Sequence, residues 1–268
     1  MADVQHDKMK QPFLLGTNWK MHKTFAEADA YAEGLRKLIA GYPMYSYFII
    51  PPYTHLHQMK QALAGAPVKI GAQNMHWADQ GAYTGEISPK WLYDLGVEIA
   101  ELGHSERRQY YHENDEDLNK KVKAALHYDM TPLLCIGEYA KDKAYGVTPE
   151  VLRRQLKIGL FGLTAQEAAR MWIAYEPVWA IGENGVPADP AYVEQVHGVI
   201  RQQLVELYGE ETGHAIPILY GGSVNPHNCV ALAARSNVDG LFIGRSAWDL
   251  TQFSQILQLL TQEHKEEN

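Results

Sequence analysis

The sequence is short of most features that would mark a secreted, membrane or nucleic-acid-binding protein. Cysteine occurs only twice in 268 residues, at Cys135 and Cys229. With no CxxC spacing, two cysteines supply neither a disulfide framework nor a cysteine zinc site, and they suit a reducing cytosol. No apolar run is long enough to span a bilayer, and no charged start with an apolar core marks a secretory signal. The opening MADVQHDKMKQP is polar, so residues 1–11 read as an N-terminal extension. The net charge is −8, so a basic face for nucleic acid or anionic membrane is not expected. A small phosphate would have to be held by local donors. Twelve histidines occur, but without HExxH or a tight His/Cys/Asp cluster, so no metal is expected. His55 and His57 in HLH fit a surface loop or helix start. GxGxxG and GxxxxGK[ST] are both missing, which argues against the common nucleotide loops. These absences leave a cytoplasmic α/β protein with no expected cofactor and no nucleic-acid or membrane partner.

Eight short apolar runs alternate with amphipathic stretches. The runs are FLLGTN (13–18), YSYFII (45–50), VKIGAQ (68–73), VEIAEL (97–102), TPLLCI (131–136), MWIAYE (171–176), IPILYG (216–221) and GLFIG (240–244). Helical patterns occupy 26–39, 116–128, 190–208, 225–235 and 251–264. At this length the alternation favours one domain over 12–264, a (β/α)8 barrel of eight parallel strands with outer helices. A doubly wound open sheet is the other architecture.

Polar residues and glycines collect where these strands end. Asn18 and Lys20 follow the first, Gln73 and Asn74 end the third, and His104 follows the fourth. Glu138 follows the fifth and Glu176 ends the sixth. Gly221, Gly222 and Ser223 follow the seventh, and Gly244 and Arg245 the eighth. In a parallel barrel these ends share one face, where barrel active sites lie. Glu176 precedes Pro177, which holds it extended, and its apolar neighbours would raise its pKa toward neutrality. That suits a general base, although a strand-end glutamate paired with a lysine or arginine has the same local sequence. Ser105 can cap a helix entering ERR, leaving His104 beside a positive helix end that keeps its imidazole neutral. A neutral ring can donate a hydrogen bond to a carbonyl and shuttle a proton; the plainer reading is a packing histidine. Lys20 can steady a developing enolate, with Glu106 as its partner, or be a solvated surface cation. The loops YGGSV and GR offer backbone N–H groups, a hydroxyl and a guanidinium for a phosphate.

NWKM (18–21), GAQN (71–74), GAYTGEIS (81–88), LGHSERR (102–108), CIGE (135–138), YEPVWAIG (175–182) and YGGSV (220–224) resemble, in order, the triosephosphate isomerase family. The resemblance runs from residue 12 to about 250. It implies a TIM barrel and proton transfer through an enediolate without metal or organic cofactor. It further implies Glu176 as base, His104 as neutral electrophile, and Lys20 and Asn18 as electrostatic stabilisers. The glutamate and neutral histidine, and the lid closing at Gly182, are this family's own known features and are carried over as such. The resemblance also implies a homodimer in which Thr84 completes the neighbouring site.

Three stretches depart from the triose enzymes. The lid continues ENGVP after Gly182, one residue longer than usual. Arg245 stands where a second glycine is usual, and His22 and Lys23 stand where asparagine and glycine are usual. NMHWADQGAYTGEISP, AIGENG and DGLFIGRSAW are similar to a sister subgroup in erythritol catabolism, which acts on erythrulose phosphate. A four-carbon phosphate needs the same base and electrophile plus room for one hydroxymethyl group. Arg245 then tightens the phosphate grip, or forms a salt bridge outside the site. A triose isomerase, a non-catalytic sugar-phosphate-binding barrel and a metal-dependent aldolase-type barrel are the competing readings.

Overall fold

A computed structural model describes residues 12–182 and 185–266. Its eight strands close into a barrel in the order β1 to β8, with β1 pairing both β2 and β8 in parallel. The strands are β1 (Leu14–Asn18), β2 (Ser46–Ile50), β3 (Val68–Ala72), β4 (Ile99–Leu102), β5 (Thr131–Ile136), β6 (Trp172–Tyr175), β7 (Ile218–Tyr220) and β8 (Gly240–Ile243). The closed barrel decides against the open doubly wound sheet.

The helices follow from capping and periodicity. Between β1 and β2 runs α1 (Phe25–Ile39), begun by a Thr24/Glu27 capping box. Then come α2 (Leu56–Ala62) before β3 and α3 (Pro89–Asp94) before β4. The link from β4 to β5 carries α4 (Ser105–Tyr110) and α5 (Asp115–His127); that from β5 to β6 carries α6 (Ala140–Ala144), α7 (Thr148–Gly159) and α8 (Ala165–Ala168). Finally α9 (Pro190–Ala215) precedes β7, α10 (Cys229–Ala233) precedes β8, and α11 (Arg245–Trp248) and α12 (Leu250–Glu266) follow it. The pattern expected to end at 208 continues past a kink at Gly209, whose φ of +81° glycine adopts without steric cost. The pattern over 225–235 shortens to Cys229–Ala233, because the Asn225 N–H is taken by Asn228 Oδ1 in a turn. His55 sits buried in a short 3-10 turn before α2, while His57 is exposed.

Two cores result. One fills the barrel, with Leu14, Phe48, Ile50, Ile99, Leu133, Leu219 and Phe242 in contact. Phe48 fits there because Gly16 faces it: a Cβ at Gly16 would meet the ring at 2.1 Å. The larger core lies between strands and helices and includes Trp19, Leu35, Met59, Leu118, Leu156, Ile200 and Ile256. Together they make a stiff frame whose strand ends open on one mouth.

Candidate active site

Three buried polar side chains meet at that mouth. The chain leaves β1 at Asn18 and bends through Lys20, whose φ of +53° is a left-handed conformation uncommon outside glycine. Side chains hold this bend from both sides. The Lys20 N–H donates to Asn18 Oδ1 (2.6 Å), and its C=O accepts from Gln73 Nε2 (2.8 Å). The ammonium thereby reaches Glu106 Oε1 at 2.6 Å, the partner expected from sequence. Both groups are partly exposed, so the contact orients Lys20 more than it stabilises the fold.

Sequence reasoning put the helix cap on Ser105. In the structure His104 is itself the N-cap of α4, and Ser105 is the first helical residue. The imidazole competes successfully for the cap because its Nδ1 can accept the Glu106 N–H, at 3.2 Å. A nitrogen that accepts carries no proton, so the proton of the neutral ring lies on Nε2. Burial lowers the His104 pKa to about 3, and the positive charges of Lys20 and Arg107 act in the same direction. Nε2 faces Glu176 Oε1 at 3.5 Å, so this is a neutral donor beside a carboxylate and not an ion pair.

Glu176 lies one residue beyond β6 and is 2% exposed. Its N–H donates to the Ile136 C=O, and its Oε2 accepts the Ser105 N–H at 3.2 Å. Burial raises its pKa to about 7, with Lys20 and the Ser105 N–H pulling the other way. A Cβ at Gly221 would come within 2.9 Å of Glu176 Cγ, so glycine there leaves the base its space. The result is a buried carboxyl with a pKa near neutrality, 3.5 Å from a neutral donor, an arrangement suited to general acid–base chemistry.

Glu101 was missed from sequence. It is fully buried on β4, and both its carboxylate oxygens accept the Asn18 amide, at 3.0 and 2.8 Å. Burial and neighbouring Glu176 hold its pKa well above the usual carboxylate range. The signal was present: a glutamate inside the apolar run VEIAEL. Glu138, beyond β5, accepts from Tyr175 Oη, Trp179 Nε1 (2.8 Å) and Tyr192 Oη (2.9 Å), and so ties the segment after β6 to α9.

One ligand atom each from Glu101, His104 and Glu176 lies within 4.8 Å of the others. A tetrahedral zinc needs donors about 2.0–2.2 Å from the metal. Here Glu101 is bound to the Asn18 amide, Glu176 to the Ser105 N–H, and the Lys20 charge acts on both carboxylates. Both carboxylates of the group are thus already engaged by hydrogen-bond donors of the frame.

The expected phosphate residues lie across the same mouth. The N–H groups of Gly222 and Ser223 make no hydrogen bond to any described residue, while Asn228 Nδ2 pins the Ser223 C=O at 2.9 Å. Arg245 begins α11, is exposed, and donates from Nη2 to the Gly182 C=O at 3.1 Å. Among the described residues it makes no ion pair, so the salt bridge weighed from sequence is not formed there. Gly182 has φ +91°, and Gly244 caps α11. Glu183 and Asn184, which open the unusual half of the lid, lie outside the described residues. Thr84 is not gathered into this cluster. It sits at an exposed tip, in a turn closed by Glu86 N–H to Tyr83 C=O with Gly85 at φ +92°.

A family model described as Triosephosphate isomerase matches residues 13–260. The chain belongs to the triosephosphate isomerase family. Among similar proteins is the L-erythrulose-1-phosphate isomerase of Brucella abortus biovar 1 (strain 9-941), 47% identical over 247 residues, covering 91% of this chain and 95% of the relative. That of Rhizobium rhizogenes (strain K84 / ATCC BAA-868) is also 47% identical over 247 residues, covering 91% and 93%. That of Rhizobium meliloti (strain 1021) is 46% identical over 252 residues, covering 93% and 97%. Membership of this family makes the chain an isomerase acting on a phosphorylated sugar.

Proposed function

We propose that this isomerase interconverts L-erythrulose 1-phosphate and D-erythrulose 4-phosphate. The observation carrying the chemistry is the buried Glu176 carboxylate 3.5 Å from the neutral His104 Nε2. The substrate choice draws on the relatives of that name, together with the changed residues after Gly182 and at Arg245. L-erythrulose 1-phosphate is dihydroxyacetone phosphate with a hydroxymethyl group on the carbon that loses its proton.

Glu176 removes that proton, and the electron pair moves onto the neighbouring carbonyl oxygen. His104 Nε2–H and the Lys20 ammonium hold the enediolate oxygen, in roles known for this family. Asn18 is set toward the same oxygens by Glu101. His104 passes the hydroxyl proton from one enediol oxygen to the other, and Glu176 returns its proton to the adjacent carbon. The carbonyl thus moves one carbon along, with atoms and charge balanced. Gly182, Gly221, Gly222, Ser223, Gly244 and Arg245 hold the substrate and its phosphate, and the lid divides at Gly182.

A homodimer in the cytoplasm completes the reading. The Thr84 tip is exposed, with Tyr83 beside it at 47% exposed, and is available to a second copy. Purified enzyme offered both substrates tests the proposal. A higher kcat/KM is expected on L-erythrulose 1-phosphate; a much higher value on dihydroxyacetone phosphate would contradict it.

A further inference from the structure

The loop that carries Lys20 is strained, and something outside it must hold it. Two of its non-glycine residues are left-handed, Lys20 at φ +53° and Lys23 at φ +76°. Such conformations cost on the order of 1–3 kcal/mol each and persist where the surroundings fix them. Asn18 and Gln73 fix Lys20 from the barrel side. On the other side stands α11, 225 residues later in the chain. Its last residue, Trp248, donates from indole Nε1 to the Asn18 C=O at 2.8 Å. The Trp248 C=O accepts from Lys23 Nζ at 3.0 Å. His22 lays its ring against the indole, centroids 4.3 Å apart. The Lys23 ammonium also lies over the Tyr31 ring, and the Tyr31 hydroxyl in turn donates to the Ala247 C=O at 2.7 Å.

We propose that Trp248 is a positioning residue for the isomerisation: it clamps the strained loop 18–23 so that Lys20 stands at the reacting oxygens. The indole N–H and the tryptophan carbonyl grip the loop at both ends, on Asn18 and on Lys23. The same four-residue helix begins with Arg245 at the lid stem. It therefore ties the proton-transfer side of the mouth to the phosphate side. A small error in Lys20 matters because charge stabilisation in a dry site depends on placement. The inference rests on the catalytic reading of Lys20 given above.

Trp248→Phe keeps a ring against His22 and removes the indole donor. A misplacement of this kind is expected to lower kcat about tenfold. A space-filling role would lower Tm and leave kcat per folded molecule unchanged. The same substitution is then made in a Lys20→Met background. If Trp248 acts through Lys20, the further loss there is less than about twofold. An unchanged kcat for Trp248→Phe, or its full loss repeated without Lys20, overturns the proposal. Should Trp248→Phe fail to fold, Lys23→Met breaks the other bond of the clamp. Its kcat is expected to fall about threefold, a smaller version of the same misplacement, and an unchanged kcat overturns the proposal. Full activity in Lys20→Met alone would instead strike down the catalytic reading of Lys20.

Discussion

The two halves of the barrel mouth are built differently. On the proton-transfer side, Glu101, His104 and Glu176 are all buried, and each carries a hydrogen bond fixed by the frame. On the proposed phosphate side, Arg245 is exposed and the N–H groups of Gly222 and Ser223 make no hydrogen bond to a described residue. In the proposed reading the difference follows from the task of each side. Changing a pKa requires removing water, and the Glu176 pKa of about 7 and the His104 pKa of about 3 both have burial as their largest cause. Holding a dianion requires donors left free for it, so the binding side stays open until the ligand comes. The chemistry is therefore paid for in the folded protein's own stability, while the binding side is not.

Glu176→Gln should break the comparison most. We expect kcat to fall by about three orders of magnitude or more, the scale of losing a general base. Its stability should move the other way. A carboxyl whose folded pKa is raised sits without cost below its unfolded value of 4.5, and destabilises the fold as pH rises through about 7. Glutamine removes that burden, worth about 3 kcal/mol at pH 8. Thermal melts should show Glu176→Gln a few degrees more stable than wild type at pH 8 and little different at pH 4. Equal Tm values at pH 8 would mean the carboxylate is not held in a dry site.

Arg245→Gly should have a much smaller effect. It removes one exposed contact to Gly182 and, with substrate, one charge-assisted contact to phosphate. KM should rise severalfold, inhibition by inorganic phosphate should weaken alike, and kcat should hold within about threefold. A loss confined to kcat would move Arg245 to the chemical side of the mouth.

Most of the barrel was legible because strand and helix periods differ, and strand ends carried polar residues at intervals that only a common face explains. The gathering of Glu176, His104 and Lys20 at one mouth was readable for that reason. What was not legible depended on contacts distant in sequence. The His104 cap could not be told from a Ser105 cap, since both side chains can accept an N–H at that position. Glu101 was marked only as one of two glutamates in the apolar run VEIAEL; its hydrogen bond to Asn18, 83 residues away, is what shows its place. Trp248 reads as an ordinary aromatic until its indole is seen on Asn18, 230 residues away. The short helices α2 and α3 carry too few turns for periodicity to register.

The most direct test is the titration of Glu176 itself, without substrate. Carbon-13 NMR of enzyme labelled at glutamate carboxyls, compared with Glu176→Gln, isolates that one resonance. A carboxyl titrating near pH 7 that vanishes in the variant is the predicted result. A Glu176 resonance titrating near the ordinary carboxylate value of 4.5 would contradict the account.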